Sequence, residues 1–129
     1  MKYDQLINKN YHIQQRNKTV NNNNFIYDEI SKRIIQSVDI LNIDVKRVLE
    51  IGLQNRNLEK FIISKFAKSK YFSSDIAFDI LKKSDSINNK ICFDHDEWVF
   101  GKNIFDLIIS NNYLQFSNNF ELLLKNINF

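Results

Sequence analysis

The sequence predicts an α/β fold built on an open parallel sheet, and three observations carry that prediction. Short apolar runs alternate with stretches whose apolar residues recur at helical spacing, the pattern of strands joined by crossover helices. The first clear run, KRVLEIG at 46–52, closes on a glycine. Acids stand at the ends of three successive runs, Glu50, Asp75 and Asp94, and open parallel sheets bind ligands beyond the carboxyl ends of their strands.

Residues 1–24 are polar and weakly patterned and form a separate N-terminal segment, with the run Asn21 to Asn24 reading as a loop. Ile26, Ile30, Ile34, Val38 and Leu41 then recur at helical spacing and predict an amphipathic helix over 25–41. The run 46–52 predicts a buried strand and a turn. Leu58, Phe61, Ile62 and Phe66 make a helical stripe over 57–68. Tyr71 and Phe72 lie in a short strand ending at Ser74 and Asp75, followed by a short helix over 77–83. KICF at 90–93 predicts a third strand ending at Asp94, and IFDLIIS at 104–110 a fourth. Phe120, Leu123, Leu124 and Ile127 give a last helix its apolar face. The segment 95–103 is too short for a full crossover helix. Either the fourth strand lies across the sheet and is reached by a loop, or the helical readings nearby are wrong.

A chain of 129 residues suffices for one core and not for two. The net charge is +3 and the cations are scattered, which argues against nucleic acid or a membrane surface as partner. No apolar run approaches the roughly 20 residues of a membrane span, and the N-terminus lacks the apolar core of a secretory signal. The single cysteine, Cys92, excludes an internal disulfide framework and fits a reducing, cytoplasmic compartment. Cys92 alternates with apolar neighbours and reads as a buried strand residue. His12 and His95 have no histidine at ligand spacing, so no metal site is expected. Asp106 reads as a structural polar contact, and Trp98 and Phe100 as core.

The strand ends supply Glu50-Ile51-Gly52, Asp75, Asp94-His95 and Ser110-Asn111. A nucleoside suits such a rim, since one carboxylate accepts two ribose hydroxyl protons and another the adenine amino proton. Asp75 follows Gly52 by 23 residues, close to the roughly 20 expected of a ribose acid. The plainer reading is that a strand-end Asp caps the next helix.

These segments resemble class I S-adenosylmethionine-dependent methyltransferases, which have a Rossmann-like fold. VLEIG at 48–52 resembles their first motif, SSDIA at 73–77 the second-strand motif, and FDHDEW at 93–98 with Phe100 the adenine loop. FDLIISNNYLQFSN at 105–118 and FIYDEISKRI at 25–34 are similar to one subgroup. It contains the malonyl-acyl-carrier-protein methyltransferases of biotin synthesis and a methyltransferase-like assembly factor of respiratory complex I. The resemblance implies about four parallel strands in the order 3-2-1-4, so that 25–129 is the front half of a methyltransferase domain, with its last three strands missing. It implies that Glu50 and Gly52 line the methionine end of the cofactor and Asp75 holds the ribose, with Ile76 on the adenine. Asp94 accepts from the adenine amino group, His95 offers its backbone N–H, and Ser110 and Asn111 border the transfer site. Arg16 matches an arginine that pairs with the cofactor carboxylate, and is otherwise an ordinary solvated residue. No methyl acceptor or catalytic side chain is implied, since displacement at a sulfonium methyl needs mainly positioning.

Two departures bear on function. The family's first loop alternates glycines after the acid, where this sequence has Gln54 and Arg56. A left-handed backbone at those residues costs about 1–2 kcal/mol each, with Asn55 able to relieve part of it. A Gln54 side chain competes for ligand volume, and Arg56 sets a cation near the positive end of the next helix. Cofactor binding is therefore expected to be weak or lost. The missing strands also leave the fourth strand as a long apolar edge, open to association with another copy or with a separate C-terminal half. A degenerate, non-catalytic binding or assembly module is the alternative. A nicotinamide-dependent oxidoreductase shares the strand-glycine-helix-strand-acid order, but Glu50 and the fourth-strand motif count against it.

Overall fold

A computed structural model describes residues 7–18, 25–86 and 88–128. The order is α1 (Lys9–Lys18), α2 (Phe25–Asp39), β1 (Arg47–Ile51), α3 (Asn57–Lys65), β2 (Lys70–Asp75), α4 (Phe78–Lys83), β3 (Asn89–Cys92), β4 (Leu107–Ile109) and α5 (Phe120–Ile127), with a 3-10 turn at Leu114–Phe116. The four strands form one sheet in the order β3-β2-β1-β4, and all three pairings are parallel. Val48 pairs with Tyr71 on one side and Leu107 on the other. All the strand ends therefore meet at one rim.

The pleat of β1 explains the two cores. Alternate residues face opposite sides of a sheet. Val48 packs with Leu58, Ile62 and Tyr71 beneath α2 and α3, whereas Leu49 and Ile51 pack with Ile76 and Tyr113 on the opposite face. No crossover helix covers that second face between β3 and β4. Residues 93–106 cross it as a loop whose aromatic rings interlock edge to face: Phe93–Phe100 at 5.1 Å, Trp98–Phe100 at 5.2 Å and Phe100–Phe105 at 5.0 Å between centroids. β4 thus lies across the sheet from β3, and Trp98 and Phe100 are half-buried, packed against the second core.

Several expectations are corrected. The polar segment contains α1, which has no apolar stripe to announce it; Asn8 caps it, its Oδ1 accepting from Tyr11 N–H at 3.1 Å. β4 spans three residues rather than seven, so the apolar edge is short. Cys92 is exposed, because β3 is the other edge strand and pairs only with β2. Asp106 does make a structural contact, accepting from the Lys46 and Arg47 N–H groups at 2.8 and 3.1 Å. None of the described helices is long and apolar enough to cross a membrane.

Candidate functional site

The turn after β1 sets the rim. Gly52 has φ +85°, a conformation that L side chains seldom adopt, and its N–H donates to Ser74 O at 2.8 Å. This turn aims the N–H of Leu53 at Asp75 Oδ2, 3.0 Å away. Asp75 Oδ1 accepts from Ala77 N–H at 3.0 Å, which fixes the turn out of β2. Ala77 is itself the N-cap of α4 and no side chain caps that helix, so the plainer reading of Asp75 as a helix cap does not hold.

The carboxylates at the rim are engaged by the chain itself. Arg16 of α1 is buried, and its Nη2 lies 2.5 Å from Asp75 Oδ2 and 2.7 Å from the Leu53 carbonyl. Its Nη1 donates to Gln54 Oε1 at 3.0 Å, and Gln54 Nε2 donates to the Asn111 carbonyl at 3.1 Å. Arg16 is thus no solvated residue; it lies across β1 and β2. At the next strand end, Lys9 Nζ contacts Asp94 Oδ1 at 3.1 Å and Asp96 Oδ2 at 2.6 Å. Asp94, His95 and Asp96 offer ligand atoms within 4.8 Å of one another, but the cation among them is the Lys9 ammonium. Although partial burial pulls the other way, Lys9, the Ser117 hydroxyl and the Asn118 N–H hold Asp96 below the usual carboxylate range.

An aromatic group fills the space above Gly52. A Cβ built there would lie 2.3 Å from Tyr113 Cγ. The Tyr113 hydroxyl accepts from Ile76 N–H at 3.2 Å, and Arg16 stands 5.1 Å from its ring centroid. Asn112, at φ 51°, makes the left-handed turn that brings Tyr113 back over the rim; Asn tolerates this conformation better than most residues. His95 meets Tyr113 edge-on at 5.1 Å, and His12 stacks on Phe116 at 4.3 Å. Burial holds His95 below the ordinary imidazole value. Burial and the nearby Arg16 charge push His12 down to about 4. Both rings are therefore neutral at pH 7. A cavity of about 440 Å³ opens beside α1, lined by Ile7, Tyr11, His12, Arg16, Tyr27 and Phe116.

The other expected residues divide. Ser110 Oγ donates to Ile51 O at 2.8 Å. Asn111 Nδ2 donates to Tyr27 O at 2.9 Å and Ser31 Oγ at 2.8 Å, tying the end of β4 to α2. Ile76 is buried in the core beneath Tyr113. Glu50 does not join the rim. The pleat sets it on the same face as Val48, towards Tyr71 and Glu59, with neither carboxylate oxygen in a regular hydrogen bond. Burial raises its pKa to about 8, with the nearby Tyr71 hydroxyl pulling against this and Glu59 adding to it.

The expected strain at Gln54 and Arg56 is absent. Among described residues other than glycine only Asn103 and Asn112 have positive φ, and Arg56 sits at φ −92° at the start of α3. Its charge is met by Glu59 at 3.3 Å and Asp85 at 3.0 Å. Glu59 is buried and also accepts from Ser86 Oγ and Asn88 Nδ2. Sequence reading gave neither Lys9 nor Tyr113 a role. Lys9 lies in no motif and Tyr113 lies unassigned within the 105–118 stretch, and both act through positions far from them in sequence.

No protein-family model matches the sequence, and no curated protein sequence matches it. The fold is similar to that of the plantazolicin methyltransferase BpumL in complex with SAH. The TM-score is 0.64 at 14% identity, over 88% of this chain and 47% of that one. The same enzyme in complex with SAH and a triazolic desmethylPZN analog gives 0.64 at 15%, over 91% and 46%. With a pentazolic analog the values are 0.61 and 14%, over 91% and 47%. The chain thus spans about half the length of the structures it matches. Its architecture is that of a partial Rossmann-like methyltransferase fold.

Proposed function

We propose that this chain is the cofactor-binding half of an S-adenosylmethionine-dependent methyltransferase domain, and that it binds the cofactor weakly. One observation carries the reading: Gly52, Asp75, Asp94 and Asn111 end neighbouring parallel strands at one rim, with the order β3-β2-β1-β4. The likeness to a methyltransferase bound to SAH supports it, as do the motifs at 48–52, 73–77 and 105–118. The finer reading is the subgroup of malonyl-acyl-carrier-protein methyltransferases and complex I assembly factors, and it rests on the segment 105–118.

The donor set suits an adenosyl group: a buried carboxylate at β2, a second acid after β3 and the Leu53 N–H between them. The space does not suit it in this conformation, because Tyr113 covers Gly52 and Arg16 covers Asp75. Isothermal titration with S-adenosylmethionine tests the reading. A dissociation constant weaker than about 100 μM, near −5.5 kcal/mol, is expected. Backbone amide shifts should centre on Gly52, Leu53, Asp75 and Asp94. Tighter binding of NADH than of S-adenosylmethionine, or shifts away from the rim, would overturn it.

A further inference from the structure

Resting on that reading, we infer that α1 regulates the same site as an internal competitor: docking of α1 and binding of a nucleoside exclude one another. The acids such a ligand needs are already paired within the chain. Asp75 and Asp94 are the acids a nucleoside would use, and α1 supplies a cation to each, Arg16 at 2.5 Å and Lys9 at 3.1 Å. Arg16 also takes the Leu53 carbonyl and underlies the Tyr113 ring that covers Gly52. A ligand that needs these atoms meets them only after α1 has withdrawn its two cations.

The way α1 is held makes withdrawal feasible. Its buried side chains are His12 and Arg16; Ile13 adds an apolar contact. A cavity of about 440 Å³ lies along one side of it, between Tyr11, Tyr27 and Phe116. Elements with few buried apolar contacts open at lower free energy than the core. When the competent state is a minor one, the apparent dissociation constant is the intrinsic value divided by the competent fraction. The helix, and not the loss of glycines at Gln54 and Arg56, then sets the affinity.

Arg16 provides a test of sign. The family resemblance makes it a cofactor ligand, so its removal should weaken binding; internal competition makes its removal strengthen binding. The measurements are the affinity of the whole chain for SAH by titration and hydrogen exchange of the α1 amides. In Lys9→Ala/Arg16→Gln, SAH should bind about tenfold tighter or more than in the unaltered chain. The single variant Lys9→Ala, which leaves the buried Arg16–Asp75 pair intact, should show a smaller gain. Gln54→Gly should change affinity by less than about twofold. Saturating SAH should strip protection from α1 while the β1 and β2 amides stay protected, which also reports that the sheet is intact. Weaker binding by the double variant, tightening confined to Gln54→Gly, or SAH binding with α1 still protected would each overturn the inference. Two outcomes without SAH binding separate it from the nucleoside reading. If α1 is released in the double variant and SAH still does not bind, the nucleoside reading fails and takes the competition with it. If α1 stays protected in the double variant, the ion pairs are not the latch and only the inference fails.

Discussion

Asp75 and Glu50 stand near the ends of neighbouring strands and are equally shielded, each 1% exposed, yet their surroundings are opposite. Asp75 at the rim meets the Arg16 guanidinium and the N–H groups of Leu53 and Ala77. Glu50, on the face beneath α3, makes no regular hydrogen bond, and burial lifts its pKa to about 8. One acid is held among complementary charge and dipoles; the other is favoured as a neutral carboxyl. The contrast teaches that an acid in the first-strand motif and an acid at the second strand end are not equivalent. The turn at Gly52 delivers backbone donors to one of them, and the pleat turns the other towards the core.

The largest expected effect comes from removing charge at the rim. Asp75→Asn leaves the buried Arg16 without its counter-charge, and breaking such a pair costs about 3–5 kcal/mol. Urea unfolding should show this loss, with Arg16→Met/Asp75→Asn recovering much of it. An unchanged urea midpoint in Asp75→Asn would mean that the pair adds nothing.

The next effect belongs to Glu50 and depends on pH. Its folded pKa lies above the unfolded value, so its contribution is complete below about pH 4.3 and is lost as pH rises through about 8. His12 acts in the opposite direction, its folded value being depressed to about 4. The stability it supports is present above the unfolded value of about 6.5 and falls away as pH drops towards 4. Between pH 6.5 and 8, Glu50 is the one of the two that still changes. The urea midpoint of the unaltered chain should fall across that window, while that of Glu50→Gln stays nearly level and is the higher by a few kcal/mol equivalents at pH 8. Parallel profiles for the two proteins would show that Glu50 is not held neutral.

The smallest of the three concerns the turn between the two acids. Gly52→Ala must adopt positive φ and displace the Tyr113 ring. The backbone part costs about 1–2 kcal/mol. Made in a Tyr113→Ala background, Gly52→Ala should cost the backbone part alone, so a double variant as stable as Tyr113→Ala by itself would show that φ carries no strain.

The strands and the crossover helices α3 and α4 were legible because each carries its own apolar pattern, and Gly52 with Asp75 because a turn and an acid at that spacing have local causes. The site residues divided along the same line. Asp75, Asp94, Ser110 and Asn111 reached the rim because strand ends follow from strand positions. Glu50 did not, because its face depends on which of two buried sides its side chain takes, and β1 is apolar on both. α1 escaped notice because Arg16, Lys9 and His12 dock it through ion pairs and ring stacking, which leave no periodic stripe. The reading of Gln54 and Arg56 as strained assumed that a missing glycine leaves its conformation behind. The chain instead takes ordinary negative φ there and uses both side chains as ligands for Arg16, Glu59 and Asp85.

By itself the sequence determined the parallel α/β class, the placement of most strands and helices, and the acids at the strand ends, because periodicity and turn chemistry are properties of neighbouring residues. The tertiary structure alone decided that Arg16 and Lys9 come to those acids and that Tyr113 lies over Gly52. Those pairings join positions 59, 85 and 61 residues apart. They form only when the folded sheet brings distant segments to one rim, where charges removed from water must find partners.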